Sequence, residues 1–334
     1  MMPEPRKIFV GTEQFKGRLH DFQPLIDAGF EIDINENDFR PTEDELIESL
    51  QGGTVATIAG GEPYTERVFA STRDLRIVAR WGVGYDMVDV AAATRHGIPV
   101  AMAFNTNHES VAEYAHGMAL TLACRLAERD RAVRAGRWGF DDFHPGLWGR
   151  TAGIIGFGRI GRAMAERCRG CKMKVVVYDP FADAAVAAEA GVRLVPLDEL
   201  LEGADLVSVH APVTPETRHL IGREQFKRMK RTAILVNTSR GPLIDEEALI
   251  EALVEGQIAA AGLDVYEVEP LQAGSRLREL DNVILSPHVS GMDKMAERNV
   301  TQRCMDNILA FLAGRHDEIR PYVLNPETLN GSKN

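Results

Sequence analysis

Cysteine is scarce in this chain of 334 residues, with thiols only at Cys124, Cys168, Cys171 and Cys304. Cys168 and Cys171 have the C-x-x-C spacing, but no second such pair and no histidine pair completes a zinc set. Ordinary thiols in a reducing compartment are the expected state, and no metal is expected. Long apolar runs are also missing: none reaches the ~18–20 residues that cross a bilayer. The opening MMPEPRKIFV has neither the apolar core nor the cleavage pattern of a secretory signal, so a cytoplasmic protein without a membrane partner is expected. Positive charge is in deficit, 38 Lys and Arg against 49 Asp and Glu, and a net charge of −11 argues against a general nucleic-acid binder. There is no repeat of solenoid period and no long low-complexity tail. What remains, 45% hydrophobic and 26% charged residues, is the composition of a soluble globular protein long enough for two domains.

The clearest pattern is the stretch 151–180, TAGIIGFGRIGRAMAERCRGCKMKVVVYDP. A short apolar strand ends at Gly156, and Gly156, Gly158 and Gly161 fall at the G-x-G-x-x-G spacing. A helix is predicted over 159–169, and a second apolar strand ends in Asp179. The first glycine permits a tight turn, the second lets backbone approach a pyrophosphate, and the third lets helix pack on strand. The helix start, with Arg159 and Ile160, offers N–H groups and a positive dipole end to phosphate. Asp179 stands where a carboxylate binds the ribose hydroxyls of NAD and repels the extra phosphate of NADP.

Short apolar runs at 8–10, 30–34, 55–59, 75–79 and 98–102 alternate with helical spacing at 43–50 and 89–96, which predicts a smaller α/β domain with a parallel sheet. Residues 107–134 read as one long, alanine-rich helix stopped by Gly136, either a connector or a subunit contact. The arm 136–149 carries two of the three tryptophans with little periodicity. It packs either on a second subunit or back on its own domain. A second α/β domain follows, with strands expected at 153–156, 174–178, 192–194, 205–209, 233–237, 258–264 and 282–285 and a helix at 245–255. Residues 292–313 read as helix and 324–334 as a weakly ordered tail.

In open parallel sheets ligands bind beyond the carboxyl ends of strands. That rule selects His210-Ala211-Pro212, Thr238-Ser239-Arg240, Asp264 and Pro287-His288. Arg240 is either a bidentate holder of a substrate carboxylate or an exposed arginine at a strand end. His288 directly follows an apolar strand. Paired with Glu269, it would be held as an imidazolium able to give a proton to a carbonyl oxygen. The cluster Arg80-Trp81-Gly82-Val83-Gly84 breaks the dinucleotide spacing. It is either a carboxylate-binding loop of free amides or a plain turn.

Taken together, the segments ARWGVGYDMVDVAAATRHGIPV, NHESVAEYAHGMAL, GIIGFGRIGRAMA, VNTSRGPLIDEEAL, GLDVYEVEP and SPHVSG, in this order along nearly the whole chain, resemble the D-isomer-specific 2-hydroxyacid dehydrogenases, in particular short, phosphoglycerate dehydrogenase-like members. The resemblance implies a Rossmann NAD-binding domain (104–289) inserted into a smaller flavodoxin-like α/β substrate domain (1–103 with 290–334), dimers built on the NAD-binding domain, and a substrate cleft whose closure excludes water. It implies reversible hydride transfer between NAD(H) and a D-2-hydroxyacid/2-oxoacid pair. His288 would be the acid/base, Glu269 its partner, and Arg240 would orient the substrate. Asp264 would hold the nicotinamide carboxamide, and the Val83 and Gly84 amides, in a loop with Arg80, Trp81 and Gly82, would take the substrate carboxylate. Thr217 and Gly291 join the expected cofactor residues. The acid is left open among 3-phosphoglycerate, glyoxylate and hydroxypyruvate: Arg80 favours a phosphate, whereas the loop 59–62 brings an acid and no base. The chain has no room for the C-terminal regulatory domain of longer relatives, so no serine feedback is expected. An NADH-responsive scaffold like the C-terminal binding protein corepressors is the reading from a different class.

Overall fold

The computed structural model describes residues 6–139 and 143–330. The chain divides into two compact units, residues 1–107 with 294–334, and residues 108–293. Among the described residues no helix is long and apolar enough to cross a membrane.

The first unit is built on a parallel sheet of β1 (Lys7–Val10), β2 (Glu31–Ile34), β3 (Thr54–Ala59), β4 (Ile77–Arg80) and β5 (Val100–Met102), in the order β2-β1-β3-β4-β5. This is the flavodoxin-like winding, whose direction reverses between β1 and β3. Central β3 is buried at every residue, whereas edge strand β2 alternates exposed and half-buried positions. The helix Glu43–Ser49 starts from a reciprocal capping pair, the Thr42 hydroxyl on the Glu45 amide and the Glu45 carboxylate on the Thr42 amide. The helix Lys294–Leu312 returns from far along the chain and buries Val300, Cys304, Ile308 and Phe311 in the same core as Ile8, Val10, Ile58 and Ile77.

The expected loose tail is corrected at 324–330, where the chain closes the open edge of β5. Val323 bridges Ala101 in antiparallel sense, and the Leu324 amide donates to the Val100 carbonyl at 3.0 Å. Buried Asn325 accepts from the Val100 amide at 2.9 Å and donates to the Ile98 carbonyl at 2.9 Å. An amide and main chain do this work, so hydrophobic periodicity gives no sign of it. Residues 331–334 lie outside the described residues. Asn325→Ala is expected to cost roughly 2–4 kcal/mol, because it orphans a buried donor and a buried acceptor. Urea unfolding measures this, and a loss below about 0.5 kcal/mol would mean that packing alone holds the edge.

The second unit carries β6 (Thr151–Ile155), β7 (Lys174–Tyr178), β8 (Arg193–Leu194), β9 (Leu206–Val209), β10 (Ile234–Asn237), β11 (Ala260–Leu263) and β12 (Val283–Leu285), all parallel, in the order β12-β11-β10-β9-β6-β7-β8. Winding reverses between β6 and β9, as in dinucleotide-binding sheets. Both faces are covered: the adjacent residues Leu235 and Val236 of β10 enter different hydrophobic clusters.

The single helix expected over 107–134 is two, His108–Ala123 and Leu126–Arg134, because Arg125 between them has φ +53° and stops the hydrogen-bond ladder. The first buries Ala112, Ala115, Met118 and Ala119; the second, LAERDRAVR, buries nothing. The apolar reading therefore holds only for the first half. In the arm that follows, Trp138 and Trp148 are 92% and 81% exposed, so these rings are not folded back onto their own unit. Leu147 between them is buried, and residues 140–142 lie outside the described residues.

Candidate active site

The glycine turn follows β6 at the reversal point. Gly156 has φ +89°, and a Cβ there would lie 2.7 Å from the carbonyl of His210, the first residue after β9. A Cβ on Gly161 would sit 2.0 Å from the Gly156 carbonyl oxygen, so both glycines are required by backbone contact. Gly158 has open space on that side, and no side chain caps the helix Arg159–Gly170 that begins with Arg159 and Ile160. Asp179, just past β7, is bound to the turn it serves: its Oδ2 accepts from the Phe157 amide at 2.7 Å and its Oδ1 from the Phe181 amide at 2.9 Å.

On the β9 side, His210 is buried, which pushes its imidazole down to about 3 and keeps it neutral. Its Nε2 shares a hydrogen bond with the Ser208 hydroxyl at 2.8 Å, and its Nδ1 has no partner among the described residues. Thr217 braces the loop of Ala211 and Pro212, its hydroxyl donating to the Pro212 carbonyl at 2.7 Å and accepting from the Thr214 amide at 2.7 Å. The buried Thr238 hydroxyl is also unpartnered among the described residues, and beside it the Ser239 amide donates to Asn237 at 3.0 Å. An open glycine turn, an uncapped helix start and two orphaned polar atoms fit a dinucleotide.

Beyond β10, β11 and β12 three loops meet. Gly241 packs on the next loop so closely that a Cβ would lie 1.9 Å from the Tyr266 carbonyl. That approach sets Arg240 against the Tyr266–Glu269 loop, with its own main-chain carbonyl held by Asn237 at 2.9 Å. Glu269 accepts from the Tyr266 amide at 3.1 Å through Oε1, and its Oε2 is 2.7 Å from Nδ1 of His288. Burial alone would push the Glu269 carboxyl up. The His288 bond and charge, the Tyr266 amide and the Arg240 charge outweigh it and hold the group below its ordinary value.

His288 has φ +58°, a left-handed conformation that costs a non-glycine residue ~1–2 kcal/mol. Asp264 holds it there. Fully buried, it accepts from the amides of Val289 at 2.9 Å and Ser290 at 2.8 Å, and from the Ser286 hydroxyl at 2.5 Å. Sequence position marks Asp264 as a strand-end acid; that its carboxylate grips both sides of the His288 loop is visible only in three dimensions. Gly291 lies in the turn closed by the Met292 amide on the Val289 carbonyl at 2.9 Å.

In the first unit, β4 runs into the Arg80–Gly84 loop. The Arg80 guanidinium donates to the Ala59 carbonyl at 3.1 Å, and the Trp81 amide donates to the same oxygen at 2.8 Å. Trp81 Nε1 donates to Thr301 at 2.9 Å, and Gly82 has φ +135°. Among the described residues the amides of Val83 and Gly84 donate no hydrogen bond. Residues 59–62 themselves carry an acid, Glu62, and no base. Glu62 is fully buried, and Arg40, remote in sequence, lays its guanidinium against Gly61.

Residues 116–290 match the model of the D-isomer specific 2-hydroxyacid dehydrogenase NAD binding domain. The chain is 41% identical over 310 residues to a glyoxylate reductase of Korarchaeum cryptofilum, covering 91% of this chain and 92% of that one. It is 38% identical over 287 residues to a D-3-phosphoglycerate dehydrogenase of Archaeoglobus fulgidus, covering 86% of this chain but 54% of that longer one. Its fold matches the crystal structure of D-lactate dehydrogenase from Aquifex aeolicus complexed with NAD and lactic acid with a TM-score of 0.83, at 28% identity, over 96% of this chain and 99% of that one. The chain belongs to the D-isomer specific 2-hydroxyacid dehydrogenases, oxidoreductases with NAD as cofactor.

Proposed function

We propose that this chain reduces a small 2-oxo acid to the D-2-hydroxy acid, and runs the reverse reaction, with His288 as acid/base. The observation that carries it is the 2.7 Å contact between His288 and a Glu269 held ionised beside Arg240. Bound there, NADH would supply the hydride for reduction and NAD+ would accept it in the reverse direction. As hydride reaches the carbonyl carbon, His288 gives its proton to the carbonyl oxygen; in the oxidative direction it takes the hydroxyl proton. Glu269, unable to hold a proton at neutral pH, stabilises the imidazolium. Arg240 holds the substrate carboxylate through parallel N–H bonds; within the first unit, the unengaged amides of Val83 and Gly84 suit a carboxylate. Asp264 keeps His288 in its left-handed pose, while Gly156, Gly158, Arg159, Gly161 and Asp179 hold the cofactor's phosphates and ribose.

A panel of glyoxylate, hydroxypyruvate, its 3-phosphate ester, pyruvate and oxaloacetate, followed by NADH absorbance, tests the reading. At least one is expected to turn over at 1 s⁻¹ or more, roughly the low end for enzymes. Binding of NADH without turnover of any 2-oxo acid would favour a scaffold instead. With the Asp179 carboxylate fixed at the ribose end, NADH is expected to bind at least ~10-fold more tightly than NADPH, since a second anion there meets a like charge. Equal affinities in a fluorescence titration would remove that role.

The exposed rings of Trp138, Phe143 and Trp148, beside a helix with nothing buried, support a homodimer through the NAD-binding unit. Sedimentation of the parent and of Trp138→Ser checks it, a monomeric parent being the contrary result. Four unpaired cysteines support a cytoplasmic setting.

A further inference from the structure

Three loops at the carboxyl end of the second unit's sheet meet on a residue that the proposed reaction does not use, Glu267. The loop after β9 passes through His219, the loop after β10 leads from Arg240 into the helix Glu246–Val254, and the loop after β11 carries Tyr266 to Glu269. Main chain stitches the first two together. The His219 amide donates to the Pro242 carbonyl at 2.8 Å, the Ile221 amide to the Leu243 carbonyl at 3.1 Å, and the Asp245 amide to the Ile221 carbonyl at 3.0 Å. His219 has φ +52°, a left-handed conformation that a residue with a Cβ keeps only where its surroundings impose it.

The third loop is fastened to both of these through Glu267. Its Oε1 accepts from Nε2 of His219, and its amide donates to Oε2 of Glu246 at 3.2 Å. The same nitrogen would lie 2.4 Å from a Cβ on Gly241, so the main chain of the second loop packs directly against it. Upstream, the Tyr266 hydroxyl donates toward the carbonyls of Leu263 at 3.2 Å and Ser286 at 2.9 Å. Downstream, Val268 is 56% exposed, which leaves Glu267 as the polar anchor between Tyr266 and Glu269. The His219 and Glu267 side chains are 43% and 31% exposed, and a pair so open to solvent adds little to stability. What it fixes is the path of the chain two residues before Glu269, whose Oε2 stands 2.7 Å from His288.

We propose that Glu267 is a positioning residue: clamped by His219 and Glu246, it sets the Glu269 carboxylate against His288. This rests on the roles given to Glu269 and His288 under the proposed function. Glu267 transfers neither proton nor hydride, and its effect on the rate passes through Glu269. A surface ion pair without this role would leave the kinetics untouched. A residue that merely supports the fold would slow the reaction equally whether or not Glu269 is intact.

The test measures NADH-dependent kcat with the panel acid that the parent reduces fastest. Glu267→Ala is expected to lose about 10-fold or more in kcat, as a displacement approaching 1 Å does, with NADH affinity by fluorescence within about threefold of the parent. Glu267→Gln keeps an oxygen that can accept from Nε2 and should recover most of the rate. His219→Gly keeps the left-handed backbone without strain and removes the imidazole, so it should reproduce the loss. The double variant His219→Gly/Glu267→Ala should be no slower than the slower single one, and Glu267→Ala should cost less than about threefold in a Glu269→Gln background. A kcat for Glu267→Ala within about threefold of the parent, or an equal loss in the Glu269→Gln background, overturns the proposal. Should Glu267→Ala not unfold cooperatively, His219→Gly decides by the same two criteria. If the parent reduces no acid of the panel, the proposed function falls and takes this inference with it; if Glu269→Gln slows the reaction and Glu267→Ala does not, only this inference falls.

Discussion

His288→Ala is expected to lower kcat by roughly 10²–10⁴-fold, the usual contribution of a positioned acid or base, while NADH binds within about threefold of the parent. The two readouts separate because the elements differ. The proposed phosphate and ribose contacts lie on the turn after β6 and the end of β7, whereas His288 follows β12 at the far side of the sheet order. Steady-state NADH oxidation and a fluorescence titration supply both numbers, and turnover within tenfold of the parent would refute the acid/base role.

Glu269→Gln sharpens the same expectation through pH. A carboxyl whose native value is depressed contributes its stabilisation above the unfolded carboxylate value and loses it as pH falls through the native one. Glu269 is such a group, so across the neutral range it stays charged beside His288. The Glu269-dependent part of oxoacid reduction is then expected to persist across the neutral range and to be lost only in acid, as pH falls through the depressed Glu269 value and the carboxylate takes up a proton. In Glu269→Gln that acid loss should be absent and kcat lower than the parent's at neutral pH, roughly 10-fold or more. An unchanged kcat would assign Glu269 to packing alone.

How much of this was legible beforehand depended on whether a signal was local. The strands of both sheets carry apolar runs of period-two or continuous character, and helix starts carry Thr42, Asp89 and Asp245 as caps. Those follow from neighbouring residues. The Arg125 break did not, because an arginine has no stated preference for φ +53° and the heptad around it still reads as helix. The Asn325 edge seal, the Asp264 grip and the meeting of Arg40 with Gly61 join positions 20 to more than 200 residues apart. Each uses polar atoms, and hydrophobic periodicity carries no information about them. Paired glycines at 60 and 61 were the one available hint, since adjacent glycines after a buried strand mark a close approach of some other group.

Gly241→Ala is expected to damage the reaction nearly as much as loss of a reacting group, although glycine 241 donates and accepts no proton in it. An added methyl would lie 1.9 Å from the Tyr266 carbonyl carbon and oxygen and 2.4 Å from the Glu267 nitrogen. All three are main-chain atoms, so no rotamer change relieves the clash, and the two loops must part by more than an ångström. Tyr266 is the residue whose amide anchors Glu269, and Arg240 immediately precedes the glycine. Parting the loops therefore moves Arg240 away from Glu269 and His288. Misplacement by 1 Å costs on the order of 10²-fold in rate, and overpacking costs ~1–3 kcal/mol of stability. The predicted signature is a kcat/KM loss of about 10²-fold or more, with NADH affinity kept, in a protein that still unfolds cooperatively. Gly203→Ala is the matched control. It sits exposed in the helix Leu197–Gly203 with nothing near its missing Cβ, and should gain roughly 0.5–1 kcal/mol with unaltered kinetics. If Gly241→Ala kept within threefold of parental kcat/KM, the backbone contact would not be what aligns Arg240 with the His288–Glu269 pair, and the alignment would have to come from the Asn237 and Asp264 contacts alone.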